Sequence, residues 1–404
     1  MFDSVNNNCV KIDWLKFAKI HRKDSLSFMT MNARSFGGKF AELLAYLHLL
    51  KSKITFILIT ETWFNSLNDV TYEIPGYKSE SFCRANRKGG GLKLYCLDHM
   101  QYTVENCYTN ESGGCESLFV TAVISGYGKV NICGIYRPPK AGIPEFFSYL
   151  ETLLDRCGNQ KSIFLGDYNI NSSDDCENNT SLDYQSIFSS YGYQNEITLP
   201  TYVSPSTLSD KSCIDHIWHN LSLRSSSFIL TPNISDHYAV SVIFETLINI
   251  RPYLKRYRDY SDANVKTFLK NCENEMRAFV MCPLDAQKNC KRYVSFLTRI
   301  MNRHFPIREK LLTCKRLKSP WITRSVLKYI RRKHKWRRML KRNEITLRSY
   351  KKYCGALRHL LKTARAEHYQ RKLKSLNDEP RRNWKILNNL MGKTSKSLST
   401  YFKS

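Results

Sequence analysis

The sequence predicts an α/β sandwich of two packed sheets, followed by a basic helical segment. Three observations carry that prediction. From about residue 27 to 245, short apolar runs of strand length alternate with turn-rich loops. A few amphipathic stretches of helical period interrupt them. Beyond residue 250 the composition shifts abruptly toward Lys and Arg. Strands rich in β-branched residues, mixed with few helices, pack as two facing sheets.

Residues 1–26 are polar and read as a loose lead-in. The candidate strands of residues 27–247 are Ser27–Met31, Phe56–Thr60, Gly91–Cys96, Leu118–Ile124, Val130–Tyr136, Ser162–Leu165, Cys213–His219 and Tyr238–Phe244. Phe40–Leu50 has apolar residues at 40, 43, 44, 47 and 50, the spacing of one helix face, and Phe146–Leu154 repeats that spacing. Arg251-Pro-Tyr-Leu-Lys-Arg-Tyr-Arg258 reads as a domain boundary. Residues 248–404 read as a basic helical linker, in which Tyr350, Tyr353, Leu357, Leu360, Leu361 and Ala364 share one helix face.

The formal net charge is +28, and its distribution says more than its size. Residues 251–404 hold 42 Lys and Arg against 10 Asp and Glu, whereas residues 1–250 hold 21 against 25. Such asymmetry points to a polyanionic partner, nucleic acid before membrane surface. The densest basic run is Arg331, Arg332, Lys333, Lys335, Arg337 and Arg338, the candidate phosphate contacts. The 14 cysteines form no CxxC pair and read as buried thiols of a reducing compartment. No run approaches the roughly 20 apolar residues of a membrane span, and the start lacks the basic and apolar blocks of a signal peptide.

Several polar residues stand at the ends of apolar strands. Asn32 follows Phe28–Met31, Glu61 follows Phe56–Thr60, and Tyr136 ends Val130–Tyr136. Asp167 and Asn169 follow Ile163–Gly166, where the glycine permits a sharp turn. Asp215 lies among apolar neighbours and needs a partner there. Ser235-Asp236-His237 opens the last strand. Each is commonplace alone: a turn residue, a solvated cap, a core edge. As an ordered set they supply carboxylates for a hard divalent cation, amides for phosphate oxygens, a Tyr, and a His with a carboxylate partner. That is equipment for phosphodiester hydrolysis.

Thr30-Met-Asn-Ala-Arg-Ser35, Glu61-Thr-Trp63, Ile135-Tyr-Arg-Pro-Pro139, Gly166-Asp-Tyr-Asn169, Ser212-Cys-Ile-Asp-His216 and Ser235-Asp-His237 resemble the ordered motifs of the endonuclease/exonuclease/phosphatase superfamily. Their wording is similar to the endonuclease of non-LTR retrotransposons, across roughly residues 27–245. Ser319-Pro-Trp-Ile-Thr323, the helix over Tyr350–Tyr369 and Asn383-Trp-Lys385 resemble the linker before the reverse transcriptase of the same polyproteins. No Tyr-x-Asp-Asp polymerase motif occurs, so the expectation is a front part that stops before the polymerase.

The resemblance implies a four-layer, DNase I-like α/β sandwich and an Mg²⁺-dependent enzyme (Mn²⁺ being an alternative) that nicks target DNA. Glu61 would be the main metal ligand, with Asn32 beside it and Asp236 a second carboxylate on the metal side. Asp167 would orient or deprotonate water, and Asn169 would hold the phosphate or that water. His237 would stabilise developing charge, with Asp215 fixing its ring and Tyr136 against the phosphate. Ser212 and Arg137 would contact the DNA backbone. Apurinic-site repair enzymes carry Asp two residues after the Asn matching Asn32, where this chain has Arg34. That departure favours one metal at a time and argues against a dedicated repair enzyme. The implied partners are duplex DNA and element RNA, with no membrane and no small-molecule cofactor, and the implied location is nuclear. The alternatives are a lipid or phosphoinositide phosphatase or an RNA deadenylase of the same fold, or a non-catalytic nucleic-acid-binding remnant.

Overall fold

The computed structural model describes residues 9–21, 25–50, 53–65, 72–84, 89–109, 115–173, 178–231, 233–247, 253–277, 286–312 and 319–374. In chain order come β1 (Val10–Asp13), α1 (Trp14–Ile20), β2 (Ser25–Asn32), α2 (Phe40–Leu49), β3 (Phe56–Thr60), β4 (Tyr77–Phe82), β5 (Leu92–Leu97), β6 (Gln101–Thr109), β7 (Glu116–Ile124) and β8 (Gly128–Tyr136). There follow α3 (Ile143–Cys157), β9 (Ser162–Asp167), α4 (Asn179–Ser190), β10 (Gln194–Asn195), β11 (Tyr202–Val203), β12 (Asp210–Ser212), β13 (Asp215–His219), β14 (Ser225–Thr231) and β15 (Ala239–Leu247). Beyond them lie β16 (Tyr253–Arg258), α5 (Asp262–Arg277), α6 (Ala286–His304), β17 (Ile307–Leu312), α7 (Arg324–Lys341) and α8 (Leu347–Lys374).

Two large mixed sheets pack face to face, which is the expected sandwich. One has the order β1-β14-β15-β2-β3-β5-β4, the other β10-β13-β9-β8-β7-β6. The central strands β2 and β3 approach β8 and β9 across the interface. Every residue of β2, β3 and β9 is buried, because one face meets the other sheet and the opposite face meets helices. Helices α1 and α2 cover the first sheet, with Trp14 stacked on Tyr46 at 4.9 Å. Helices α3 and α4 cover the second, burying Phe146, Leu150, Tyr184 and Phe188 in a cluster where Phe188 stacks on Trp218 at 4.4 Å.

Residues 9–21 are not a loose lead-in. β1 pairs in parallel with β14, and Asp13 caps α1 by accepting from the Lys16 amide. Trp14 and Phe17 are fully buried. Four residues of strand followed by seven of helix are too short for a period to show in the sequence.

The chain divides into two compact units, residues 1–249 with 315–404, and residues 250–314. The smaller unit places α5 and α6 between the antiparallel pair β16 and β17, so this part of the basic region is not wholly helical. In the larger unit, α7 and α8 pack on each other and on α2. Tyr350, Leu357 and Leu361 are buried, the helix face that the sequence predicts. The Asn383-Trp-Lys385 resemblance lies outside the described residues.

Candidate active site

Strand direction brings the candidate residues to one end of the sandwich. Asn32 ends β2, Glu61 follows β3, Tyr136 ends β8 and Asp167 ends β9. β8 and β9 are parallel, as are β2 and β3, so these termini lie side by side. β13 runs antiparallel to β9 with Asp215 opposite Asp167, and β15 runs antiparallel to β2, which returns Asp236 and His237 to the same end.

Asn32 is the bridge. Its fully buried Nδ2 donates to Glu61 Oε1 at 2.8 Å and to Asp167 Oδ2 at 2.7 Å, while its Oδ1 accepts from the Arg34 amide at 2.9 Å. It thus joins two carboxylates through its nitrogen, while its oxygen, expected at the metal, takes a backbone amide. Glu61 is half-buried, and its Oε2 accepts from Trp63 Nε1 at 3.1 Å. Glu61 and Asn169 both have φ of +50°, a left-handed backbone that non-glycine residues adopt at a cost and that aims their side chains off the strand ends. Tyr136 hydrogen-bonds Glu61, and its burial pushes its pKa far up, so the phenol stays a donor.

The second half of the cluster is an acid–imidazole pair. His237 Nδ1 lies 2.8 Å from Asp215 Oδ2, which also accepts from Thr201 Oγ1 at 2.6 Å. Burial alone would lower the His237 pKa, but the charge and hydrogen bond of Asp215 outweigh it and raise the pKa to about 9. Asp167 is raised to about 7, by burial first and by the charge of Asp215 second. Asp215 Oδ1 is buried with no hydrogen-bond partner. Among the described residues, Asp167, Asp215 and His237 bring ligand atoms within 4.8 Å of one another.

Gly166 serves a purpose other than a turn. It stays within β9 at φ +152°, and a Cβ there would sit 1.8 Å from the Ile135 carbonyl oxygen. Only glycine lets β8 and β9 close at the base of Asp167.

Other expected residues stand elsewhere. Asp236 is engaged by Arg34 Nη1, so its charge is already met. Arg137 is 3% exposed, and its guanidinium donates to the carbonyls of Tyr168, Asn169 and Ala141. It is a clamp on the Asp167–Asn169 loop and is not open to DNA. Asn169 closes that loop from the other side, donating from Nδ2 to the Arg137 carbonyl at 2.7 Å. Ser212 is half-buried at the end of β12, its carbonyl taken by the Thr201 amide. In the basic run Arg331, Arg332, Lys335 and Arg338 are exposed, but two of its cations point inward. Lys333 is 3% exposed and pairs with buried Glu42 at 2.5 Å. Arg337 donates to the Leu208 carbonyl and to Tyr238 Oη. Both are spent on the core. The sequence reading missed Thr201, which fixes Asp215 and accepts from the Ile214 and Asp215 amides at 3.1 Å. Its one local signal is Pro200.

Residues 130–241 match the family model described as endonuclease–reverse transcriptase, a span that contains Tyr136, Asp167, Asn169, Asp215 and His237. That description agrees with the family that the sequence motifs resemble. No curated protein matches the chain. Among solved structures it is similar to an endonuclease/exonuclease/phosphatase family protein from Bacteroides thetaiotaomicron, at 15% identity over 55% of this chain and 98% of that one, TM-score 0.44. It is similar to the endonuclease domain of TRAS1, a telomere-specific non-LTR retrotransposon, at 15% identity over 55% and 98%, TM-score 0.42. It is also similar to the APE2 catalytic domain of Xenopus laevis, at 17% identity over 55% and 92%, TM-score 0.43.

Proposed function

We propose that the chain is a divalent-metal-dependent phosphodiesterase that nicks one strand of duplex DNA, the target-site endonuclease of a non-LTR retrotransposon. The observation that carries this reading is the hydrogen-bonded set Glu61–Asn32–Asp167 beside Asp215–His237, assembled from five strand ends that lie far apart in sequence.

The donor set fits a hard cation such as Mg²⁺. The carboxylates offer oxygen, and Glu61 accepts hydrogen bonds from Asn32, Trp63 and Tyr136 on two oxygens with about four lone-pair sites, which leaves one for a metal. Glu61 is the ligand we assign. When bound, the cation supplies charge to a phosphate oxygen. Asp236 is paired with Arg34 through Oδ2, so a metal contact by it would fall to Oδ1.

The remaining roles belong to side chains. Asp167, pinned by Asn32 and by the Asn169 amide at 3.0 Å, orients water and accepts its proton. With Nδ1 held by Asp215, His237 offers Nε2 to a phosphate oxygen, and its charged form stabilises the pentavalent arrangement. Tyr136 donates beside it. The exposed Arg331, Arg332, Lys335 and Arg338 meet DNA backbone, which positions the duplex without reading its sequence.

Nicking of supercoiled plasmid by Glu61→Ala and Asp167→Ala chains tests the assignment. Both should melt like the unaltered chain and fail to nick. Near-normal nicking by either overturns the site.

A further inference from the structure

A cavity lined by cations adjoins the catalytic cluster. It measures about 220 Å³ and lies where the loop ahead of α2, the Ser235–Asp236 loop and α8 meet. Four cations line it, and three of them have no carboxylate partner in a salt bridge among the described residues. Lys39 precedes α2, while Lys351 and Arg358 are seven residues apart on α8, two turns and therefore on one face. Lys351 and Arg358 are exposed.

The charges on this wall do not balance. Its two carboxylates already have partners: Glu42 is paired with Lys333, and Asp236 with Arg34. The Lys39 ammonium donates to the carbonyls of Ala33 and Arg34, and Arg358 Nε donates to the Cys354 carbonyl, all neutral acceptors. Burial lowers the Lys39 pKa to about 8; Asp236 attracts the ammonium, while Arg358 and Arg34 repel it. Lys39, Lys351 and Arg358 therefore converge on one small space whose only carboxylates, among the described residues, are already paired with other cations. An anion with several acceptor oxygens relieves that repulsion. Asp236 lines the cavity and His237 is its neighbour in the chain, so the space lies beside the expected position of the scissile phosphate.

We propose that this cavity binds a backbone phosphate of the DNA strand flanking the scissile bond, held by Lys39, Lys351 and Arg358. The inference rests on the nuclease reading for its ligand. It assigns to α8 a part in substrate binding that the dense basic run of α7 obscures.

The test uses the full chain and a double variant, Lys351→Gln with Arg358→Gln. The control is Arg348→Gln with Lys352→Gln, which removes equal charge from exposed positions of the same helix that do not line the cavity. Binding to a short duplex is followed by fluorescence anisotropy across a salt series, and plasmid nicking in Mg²⁺ is scored in parallel. Each lost phosphate contact should reduce the log–log salt slope by about 0.9. The cavity variant should bind on the order of tenfold more weakly, with a slope shallower by roughly 0.9 for a phosphate shared by both residues. Each single variant should show part of the loss, and the control should match the unaltered chain. Equal slopes for all three chains overturn the proposal, as does an equal loss in cavity variant and control, which would mean diffuse charge. If the unaltered chain binds DNA and never nicks it, the nuclease reading fails while the slopes still decide the cavity. If it nicks and the slopes agree, the cavity fails alone.

Discussion

Buried charge is handled in opposite ways where α2 meets α7 and at the catalytic strand ends. On the face toward α7, one ammonium meets one carboxylate: Lys333 against Glu42, both 3% exposed. At the strand ends, Asp167 and Asp215 lie against one imidazole, Glu61 is tied to Asp167 through Asn32, and one Asp215 oxygen has no hydrogen-bond partner among the described residues. The first arrangement is neutral and holds helices together. The second crowds carboxylates that the fold alone does not fully satisfy, which is what the proposed metal and phosphate chemistry would use. Counting charged residues along the chain cannot separate the two, because Lys333 lies inside the most basic run of the sequence.

That contrast can be broken by substitution. The largest effect belongs to the unbalanced cluster. Asp167→Asn should lower the nicking rate by about 10⁴-fold, the scale for removing a group that moves a proton, with an unchanged melting temperature. A large loss of stability without a large loss of rate would reassign Asp167 to the scaffold. At the balanced pair the outcome should invert. Lys333→Ala strands Glu42 and should cost about 3–5 kcal/mol in urea unfolding, whereas Lys333→Met with Glu42→Leu should recover most of it. Weakened DNA binding at full stability would return Lys333 to the phosphate contacts.

Acid should sharpen the same comparison. Burial lowers the pKa of His21 and His334 from 6.5 to about 4, and both rings are neutral in the folded chain. The unfolded chain takes up these protons first, so the stability they protect is complete above pH 6.5 and lost as pH falls toward 4. Each could remove roughly 3 kcal/mol over that window. His334→Leu should remove its share of the slope, and parallel profiles for variant and unaltered chain would contradict the account. The smallest effect is expected at the supporting acid. Asp215→Asn should slow nicking by about 10²-fold, because His237 keeps a hydrogen-bond partner but loses the charge that stabilises its cationic form. A rate equal to that of the unaltered chain would leave the pair without a catalytic role.

Much of the site could be read from the sequence, for a physical reason. Asn32, Glu61, Asp167 and Asp215 each sit at one end of an apolar strand, and a polar residue placed there is visible against its neighbours. The strands Phe56–Thr60 and Ser162–Leu165 are visible because all but one residue of each is apolar. What escaped was set by three-dimensional pairing. Arg34 follows Asn32 by two residues, but its pairing with Asp236 depends on β2 lying beside β15. Thr201 reaches Asp215 from a loop with no period. Arg137 and Lys333 looked like DNA contacts because a positive charge in sequence carries no mark of which way it faces. β1 and α1 are too short to show a period, yet they complete one edge and one layer of the sandwich.

The most direct measurement of the central claim treats supercoiled plasmid with the full chain in Mg²⁺ or in EDTA, then offers the product to a DNA polymerase. The account predicts relaxed circles in Mg²⁺ alone, with nicks that the polymerase extends because they end in a 3′ hydroxyl. Nicking that survives EDTA, nicks that cannot be extended, or phosphoinositide hydrolysis with intact plasmid would contradict it.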